Sequence, residues 1–259
     1  MITSVSNNRV KKVVALNQKA KERRQEKLYV VEGVKMFLEA PPEEIVEVYI
    51  SEGFTSAACE QKLNSLRYEV VTEEVFRKMS DTMSPQGILC VLRMKEYTVD
   101  QMLAGKKNPL LMILEDLRDP GNLGTIMRTG EGAGIDGVIL SRESADMYNP
   151  KTIRSTMGSI YRVPFAYVPS IAEAVAVLQK RDIRVYAAHL AGQKWYDEAD
   201  YAGGSAFMIG NEGNGLKEET AKLADTYIKI PMEGKVESLN AAMASGILMY
   251  EAARQRRKG

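Results

Sequence analysis

The stretch LGTIMRTGEGAGIDGVILS, Leu123 to Ser141, decides how this chain is read. Within it, GAGIDG (Gly132 to Gly137) fits the dinucleotide fingerprint G-x-G-x-x-G. That fingerprint works only where a strand precedes it, a helix follows it and an acid stands about 20 residues on. Here the order is reversed: LGTIMRTGEGAG reads as a helix running down into glycines, and DGVILS reads as a strand. The window from Lys151 to Phe165 holds no acid and carries Lys151, Arg154 and Arg162 instead. The glycines therefore read as a helix stop and turn, where positive φ is tolerated. A nicotinamide or flavin site is set aside.

Outward from this turn, the second part of the chain repeats one pattern. It begins with the apolar strand PLLMILEDL, then a helix over 122–133 and a strand over 137–141. A helix near 149–158, a short strand near Phe165 and a helix over 170–180 follow. Then come strands RVYAAHL and SAFMIG, a helix over 216–224, strand YIKIPM and a last helix from 239 to about 256. The strands are apolar runs without alternation, as in parallel sheets covered on both faces. Residues 109–259 thus form an α/β domain of ordinary size. Residues 96–108, with weak periodicity and Gly, Pro and Lys, form the linker. Residues 1–95 form a smaller domain. A basic helix over 8–25 is followed by alternating strands (LYVVEG, IVEVYIS, YEVVT, GILCVLRM) and short helices. That alternation predicts an α/β sandwich with a largely parallel sheet here too.

At 45% hydrophobic and 27% charged, the 259-residue chain is composed to fold rather than to stay disordered. No apolar run is long enough to cross a bilayer, and the start has no apolar signal core. With two cysteines in no C-x-x-C and one histidine, neither a disulfide framework nor a structural zinc site is expected. No metal is assigned, and the reducing cytoplasm is the expected compartment. The net charge is only +1, yet eight basic residues against two acids lie between Arg9 and Lys27. Four more cations, Arg254, Arg256, Arg257 and Lys258, crowd the tail. Such stretches are either solvated faces or a surface for a polyanion.

Three strand ends of the second domain open into loops rich in Gly, Asn and Glu: LEDLRDPGNLGTIMRTGEGAG, FMIGNEGNGL and IPMEGKVESLNAAMASGILMYEA. Ligands of parallel sheets bind beyond such carboxyl ends, so the three can converge on one pocket. The loops carry N-x-G-x-x-x-R (Asn122 to Arg128), G-N-E-G (Gly210 to Gly213) and I-P-M-x-G-x-x-x-S-L-N (Ile230 to Asn240). In this order and spacing they resemble the SpoU (TrmH-like) RNA ribose methyltransferases of the SPOUT superfamily. The resemblance covers roughly residues 108–257. Residues 1–95, through NNRVKKVVALNQKAKERRQEKLYVVEG and the order of elements, resemble the L30e-like substrate-binding domain that often precedes it.

The resemblance implies a catalytic α/β domain with a deep trefoil knot, S-adenosyl-L-methionine (AdoMet) as methyl donor, an RNA substrate, and a homodimer with an active site shared between subunits. It implies an active site of Arg128, Asn122, Glu212, Ser238 and Asn240. It places AdoMet against Ala188, His189, Gly210, Asn211, Gly213, Ile230, Met232, Ser238 and Leu239. Arg9, Lys11, Lys12, Arg23, Arg24, Lys151 and Arg154 would grip RNA phosphates, which position a protein without specifying sequence.

Plainer roles compete for several of these residues. Asn122 and Ser238 are each good helix N-caps. Arg128 can be an exposed ion pair of little energetic consequence. Glu212 can be a charged loop tip, or can neutralise Arg128 or orient substrate. His189, a lone histidine, can be structural. The final helix places Leu239, Met243, Ile247 and Tyr250 on one face, either buried or the dimer contact. Large-subunit ribosomal RNA is the expected substrate, because L30e-like domains accompany ribosomal targets in the family. Transfer RNA, and a non-catalytic RNA-binding or ribosome-assembly role, stay as alternatives.

Overall fold

The computed structural model describes residues 1–257, so Lys258 of the basic tail lies outside the described residues. The first helix, α1 (Asn8–Gln18), starts where the Asn7 side chain accepts the N–H of Arg9. The basic segment read as one helix is two, because Lys19 is extended and separates α1 from α2 (Ala20–Glu26). Next come β1 (Leu28–Glu32), α3 (Val34–Glu39), β2 (Ile45–Ser51), α4 (Ala57–Asn64), β3 (Glu69–Val71), α5 (Glu73–Met79) and β4 (Ile88–Arg93). These strands form a sheet of order β1-β4-β2-β3. Only β2 and β3 run parallel; β4 is antiparallel to both β1 and β2. The largely parallel sheet expected here is thus corrected. Alternating elements suggest crossovers, but the last strand enters between β1 and β2 in the opposite direction. Val10, Val13 and Leu16 of α1 and Val75, Phe76 and Met79 of α5 pack on Val30, Tyr49, Leu89 and Val91.

The second sheet starts after α6 (Val99–Leu103), which lies inside the expected linker. Thr98 and Gln101 form its capping box, and Met102 and Leu103 are buried. Then follow β5 (Leu110–Leu114), α7 (Pro120–Ala133), β6 (Gly137–Ser141), α8 (Pro150–Thr156), β7 (Phe165–Val168), α9 (Ile171–Gln179), β8 (Arg184–Ala188), β9 (Lys194–Trp195), β10 (Ser205–Ile209), α10 (Glu218–Ala221), β11 (Thr226–Lys229) and α11 (Ala241–Arg256). Among the described residues the sheet has order β7-β6-β5-β10-β8-β11-β9, with every pairing parallel. Every residue of β5 and β10 is buried, as expected for strands covered on both faces. The glycine-rich stretch resolves as a helix stop. Asp119 caps α7, Pro120 occupies its first turn, and Gly134 ends it at φ +79° before β6.

The chain divides into two units. One is Met1–Lys95 with Asp146–Tyr161; the other is Glu96–Ala145 with Arg162 onward. Segment 146–161, read with the second domain, therefore packs with the first. Arg23 meets Asp146 at 2.6 Å, the Tyr161 hydroxyl donates to Met36 O, and the rings of Tyr29 and Tyr148 lie 4.6 Å apart. No described helix is long and apolar enough to cross a membrane.

Candidate active site

The carboxyl ends of the neighbouring strands β8, β10 and β11 frame a cavity of about 340 Å³. At β10 the strand stops for a local reason. After β10, Gly210 lies so close to the returning chain that a Cβ would stand 2.1 Å from Gly215 C and Leu216 N. Asn211 and Gly215 exchange two backbone hydrogen bonds, and Gly215 has φ +68°. After β8, the His189 N–H donates to Ile228 O at 2.9 Å. After β11, the irregular segment 230–240 contributes Ile230, Met232, Glu237, Ser238 and Leu239 to the lining and leads to α11.

The structure brings together Ala188, His189, Gly210, Asn211, Gly213, Ile230, Met232, Ser238 and Leu239, and adds Glu212 to the same lining. Sequence reasoning missed the floor, Ile209, Leu216 and Ile228, all buried, and the charged Lys229 and Glu237. The floor was legible as apolar strand ends, but nothing local marked the two charges. The site fits AdoMet: bare backbone at Gly210, an apolar floor for a purine, and two carboxylates for a ligand that carries positive charge.

A hydrogen-bonded chain joins the three loops. Glu212 accepts the N–H of Asp119 at 3.1 Å and of Arg118 at 3.3 Å, and the Asn122 amide at 3.1 Å. Asn240 donates its amide to Asn122 Oδ1 at 3.0 Å. Burial pushes the Glu212 carboxyl up, but these donors outweigh it and hold the group below the usual glutamate range, so it is ionised at neutral pH.

Several expectations are corrected. Asn122 is not the cap of α7: Asp119 is, accepting the Asn122 N–H at 2.7 Å. Ser238 is not the cap of α11: Asn240 is, accepting from Ala242 and Met243. Glu212 does not meet Arg128; its carboxylate serves the start of α7. Arg128 is exposed, lies outside the cavity lining and makes no hydrogen bond or ion pair with any described residue. Six residues beyond Asn122, it lies about 9 Å along the helix and about 120° around it. His189 has a structural role as well, with Nδ1 accepting the Ala191 N–H and its ring 5.2 Å from Tyr227.

The basic residues divide sharply. Arg23, expected to grip phosphate, is 2% exposed and spends its guanidinium on Leu16 O, Asn17 O and Asp146. A cation so enclosed cannot meet RNA without unfolding its surroundings. Arg9 bonds Glu69 and the Tyr49 hydroxyl, Lys12 pairs with Glu26, and Arg154 with Asp81. Lys11 and Arg24 are exposed without an ion pair among the described residues. In the tail, Arg256 collects four carbonyls, those of Tyr201, Asn108, Pro109 and Gly203, and Arg254 pairs with Glu251. Arg254 and Arg256 thus hold structure, whereas Arg257 is exposed. On α11, the face with Met243 and Tyr250 is the exposed one; Ala241, Ala242, Ser245, Leu248 and Met249 are buried.

Comparison with known proteins agrees with this geometry. Residues 109–250 match the SpoU rRNA Methylase family, and residues 7–90 match the MRM3-like substrate binding domain. The chain is 32% identical over 240 residues to the 23S rRNA (guanosine-2'-O-)-methyltransferase RlmB of Vibrio parahaemolyticus, covering 88% of this chain and 96% of that one. It is 30% identical to the 23S rRNA (guanosine(2553)-2'-O)-methyltransferase RlmP of Bacillus subtilis, covering 96% and 97%. Among solved structures, the SpoU methyltransferase AviRb of Streptomyces viridochromogenes in complex with AdoMet superposes with a TM-score of 0.88, at 26% identity over 98% of this chain and 99% of that one. The AdoMet-bound rRNA methyltransferase of Sinorhizobium meliloti superposes with a TM-score of 0.85, at 29% identity over 98% and 97%. With more than half of its length matched to the family model and the three loops converging as the motifs require, this chain belongs to the SpoU rRNA methylase family.

Proposed function

We propose that this protein methylates a ribose 2′-hydroxyl of large-subunit ribosomal RNA, with AdoMet as donor. One observation carries the reading: the cavity and the Glu212–Asn122–Asn240 chain unite all three loops that the family's motifs occupy. The ribosomal substrate is supported by the RlmB and RlmP relatives, and it would place the reaction in the cytoplasm. AdoMet supplies a methyl carbon activated by the sulfonium it is bound to. Backbone at 188–190, 210–215, 230–232 and 237–239 holds the donor, and Glu212, Asn122 and Asn240 orient the ribose. Attack of the 2′-oxygen on the methyl carbon would break the carbon–sulfur bond and release the hydroxyl proton to solvent. Arg128 stabilises the developing alkoxide as a preorganised cation rather than acting as a base, because guanidinium stays protonated.

The reading includes a homodimer and a trefoil knot around the cofactor loops. Arg128 stands outside its own chain's cavity, and the apolar Met243 and Tyr250 are 61% and 50% exposed. Pairing of two chains would cover that face and bring one chain's Arg128 to the other's cavity. Lys11 and Arg24 would meet phosphates directly, and Lys151 would join them by giving up contacts of its own. Arg9, Lys12 and Arg154 would do so by exchanging their surface ion pairs.

The test is methyl transfer from labelled AdoMet to unmodified 23S ribosomal RNA and, separately, to transfer RNA, with nucleoside analysis. A 2′-O-methyl nucleoside in 23S RNA is expected. Arg128→Ala should lower the rate by about 10²–10³ while AdoMet binding is kept. A methylated base, or AdoMet binding without turnover on any RNA or ribosomal particle, would overturn the proposal.

A further inference from the structure

Much of the cofactor loop hangs on a residue outside the three motifs. Asp116 follows β5 by two positions and has φ +53°, in the left-handed region that side chains other than Asn and Asp rarely enter. This backbone turn directs its carbonyl oxygen at Asn211, whose Nδ2 donates to it at 2.9 Å. Asn211 Oδ1 in turn accepts the N–H of Gly213 at 2.9 Å and of Asn214 at 3.3 Å. Asp116 is itself locked. Its N–H donates to Ser141 Oγ at 2.8 Å, and the Ser141 hydroxyl donates back to Asp116 Oδ1 at 2.8 Å. At the far end of the loop, Lys217 Nζ lies 2.8 Å from Asp116 Oδ2, and the Lys217 N–H donates to buried Glu115 at 2.8 Å. The Lys217 ammonium holds the Asp116 carboxyl below the usual range, so the clamp is ionised at neutral pH. Segment 210–217 is thus tied at both ends to the turn after β5.

We propose that Asp116 is a positioning residue for the methyl donor: its left-handed backbone, locked by Ser141, presents the carbonyl that fixes Asn211 and with it the cofactor loop Gly210–Gly215. Asp116 does not line the cavity, so it acts through Asn211. The inference rests on the cavity's being the AdoMet site.

The backbone matters more than the ion pair. The Lys217 side chain is 54% exposed, and an exposed pair contributes less than about fivefold to an equilibrium. A residue without the local bonds of Asp or Asn is disfavoured in this conformation by roughly tenfold. It would turn to negative φ, swing the carbonyl away and release Asn211.

The experiment measures AdoMet affinity by calorimetry on the full chain for Asp116→Asn, Asp116→Gly, Asp116→Ala, Asp116→Val and Lys217→Met, with thermal unfolding and steady-state kinetics beside it. Asp116→Asn tolerates the left-handed turn and should stay within threefold of wild type. Asp116→Gly keeps the turn but loses the anchor and should be intermediate. Asp116→Ala and Asp116→Val should bind at least about tenfold more weakly. Lys217→Met should lose less than about fivefold. At saturating AdoMet the weakened variants should recover kcat and keep the RNA KM, which a general loss of stability would not allow. Equal affinities for the Asn, Gly and Ala variants overturn the proposal, as does a Lys217→Met loss equal to that of Asp116→Ala. If Asp116→Val does not fold, the order Asn, Gly, Ala still decides. A wild type that binds no AdoMet would instead refute the proposed function.

Discussion

Replacing Gly210 with alanine tests the cofactor loop at its tightest point. The added methyl would stand 2.1 Å from both Gly215 C and Leu216 N, and 2.2 Å from Gly215 O. These are backbone atoms, so no rotamer change relieves the overlap. Restoring a contact of about 3.5 Å requires the two limbs of the loop to part by about 1.4 Å. The reciprocal bonds Asn211 N to Gly215 O at 3.0 Å and Gly215 N to Asn211 O at 2.9 Å would then pass out of hydrogen-bond range. At about 1 kcal/mol for each net bond, the loop loses about 2 kcal/mol of its closed form. AdoMet must recover that on binding, so its affinity should fall roughly thirtyfold. Calorimetric titration of the purified protein reads this directly. Gly203→Ala, where a Cβ would meet nothing within 4 Å, is the control and should leave affinity unchanged. A Gly210→Ala protein that binds AdoMet within threefold of wild type, with unchanged thermal stability, would refute the steric reasoning.

Arg23 and Arg24 should separate stability from RNA binding. Arg23→Ala removes a 2.6 Å ion pair and two carbonyl bonds from an enclosed site, and should destabilise the protein by about 3 kcal/mol in denaturant unfolding. Arg24→Ala should leave stability within about 0.5 kcal/mol but weaken RNA binding and lower its salt slope by about one. The Glu212 carboxyl is depressed by its donors, so what its charge contributes is complete above the ordinary glutamate range. That contribution begins to fade as pH enters the range and is gone once pH has fallen through the lower folded value. The stability difference between wild type and Glu212→Gln should follow that course; a difference that fades near neutrality would contradict it. Met243→Glu combined with Tyr250→Glu should sediment as a monomer that binds AdoMet but transfers no methyl group. A dimeric, active double variant would remove α11 from the interface.

The second sheet was legible because its signals are local. Its apolar strands carry burial on both faces in their composition, and Gly134 stops α7 because a left-handed C-cap is a single-residue requirement. The gathering of the three loops at one cavity was legible through motif resemblance, which records a tertiary outcome that periodicity alone does not contain. The antiparallel entry of β4 was not legible, since a strand's own pattern does not say which neighbour it joins or in which direction. Nor was the departure of segment 146–161 to the first unit, whose apolar Ile153 could have served either core.

Single residues divide the same way. The two-part α/β plan, the helix stop at Gly134 and the set of loops that must meet were written in the chain, because propensity, apolar runs and motif order are local properties. That Arg23 is enclosed while Arg24 faces solvent came from the folded arrangement alone, since consecutive helix positions point about 100° apart and what lies opposite comes from distant parts of the chain. It alone showed that Glu212 serves α7 rather than Arg128, and that Asp116 turns left-handed to reach Asn211. Those arrangements are fixed by hydrogen bonds across about 90 residues of chain, and no local signal carries geometry over that separation.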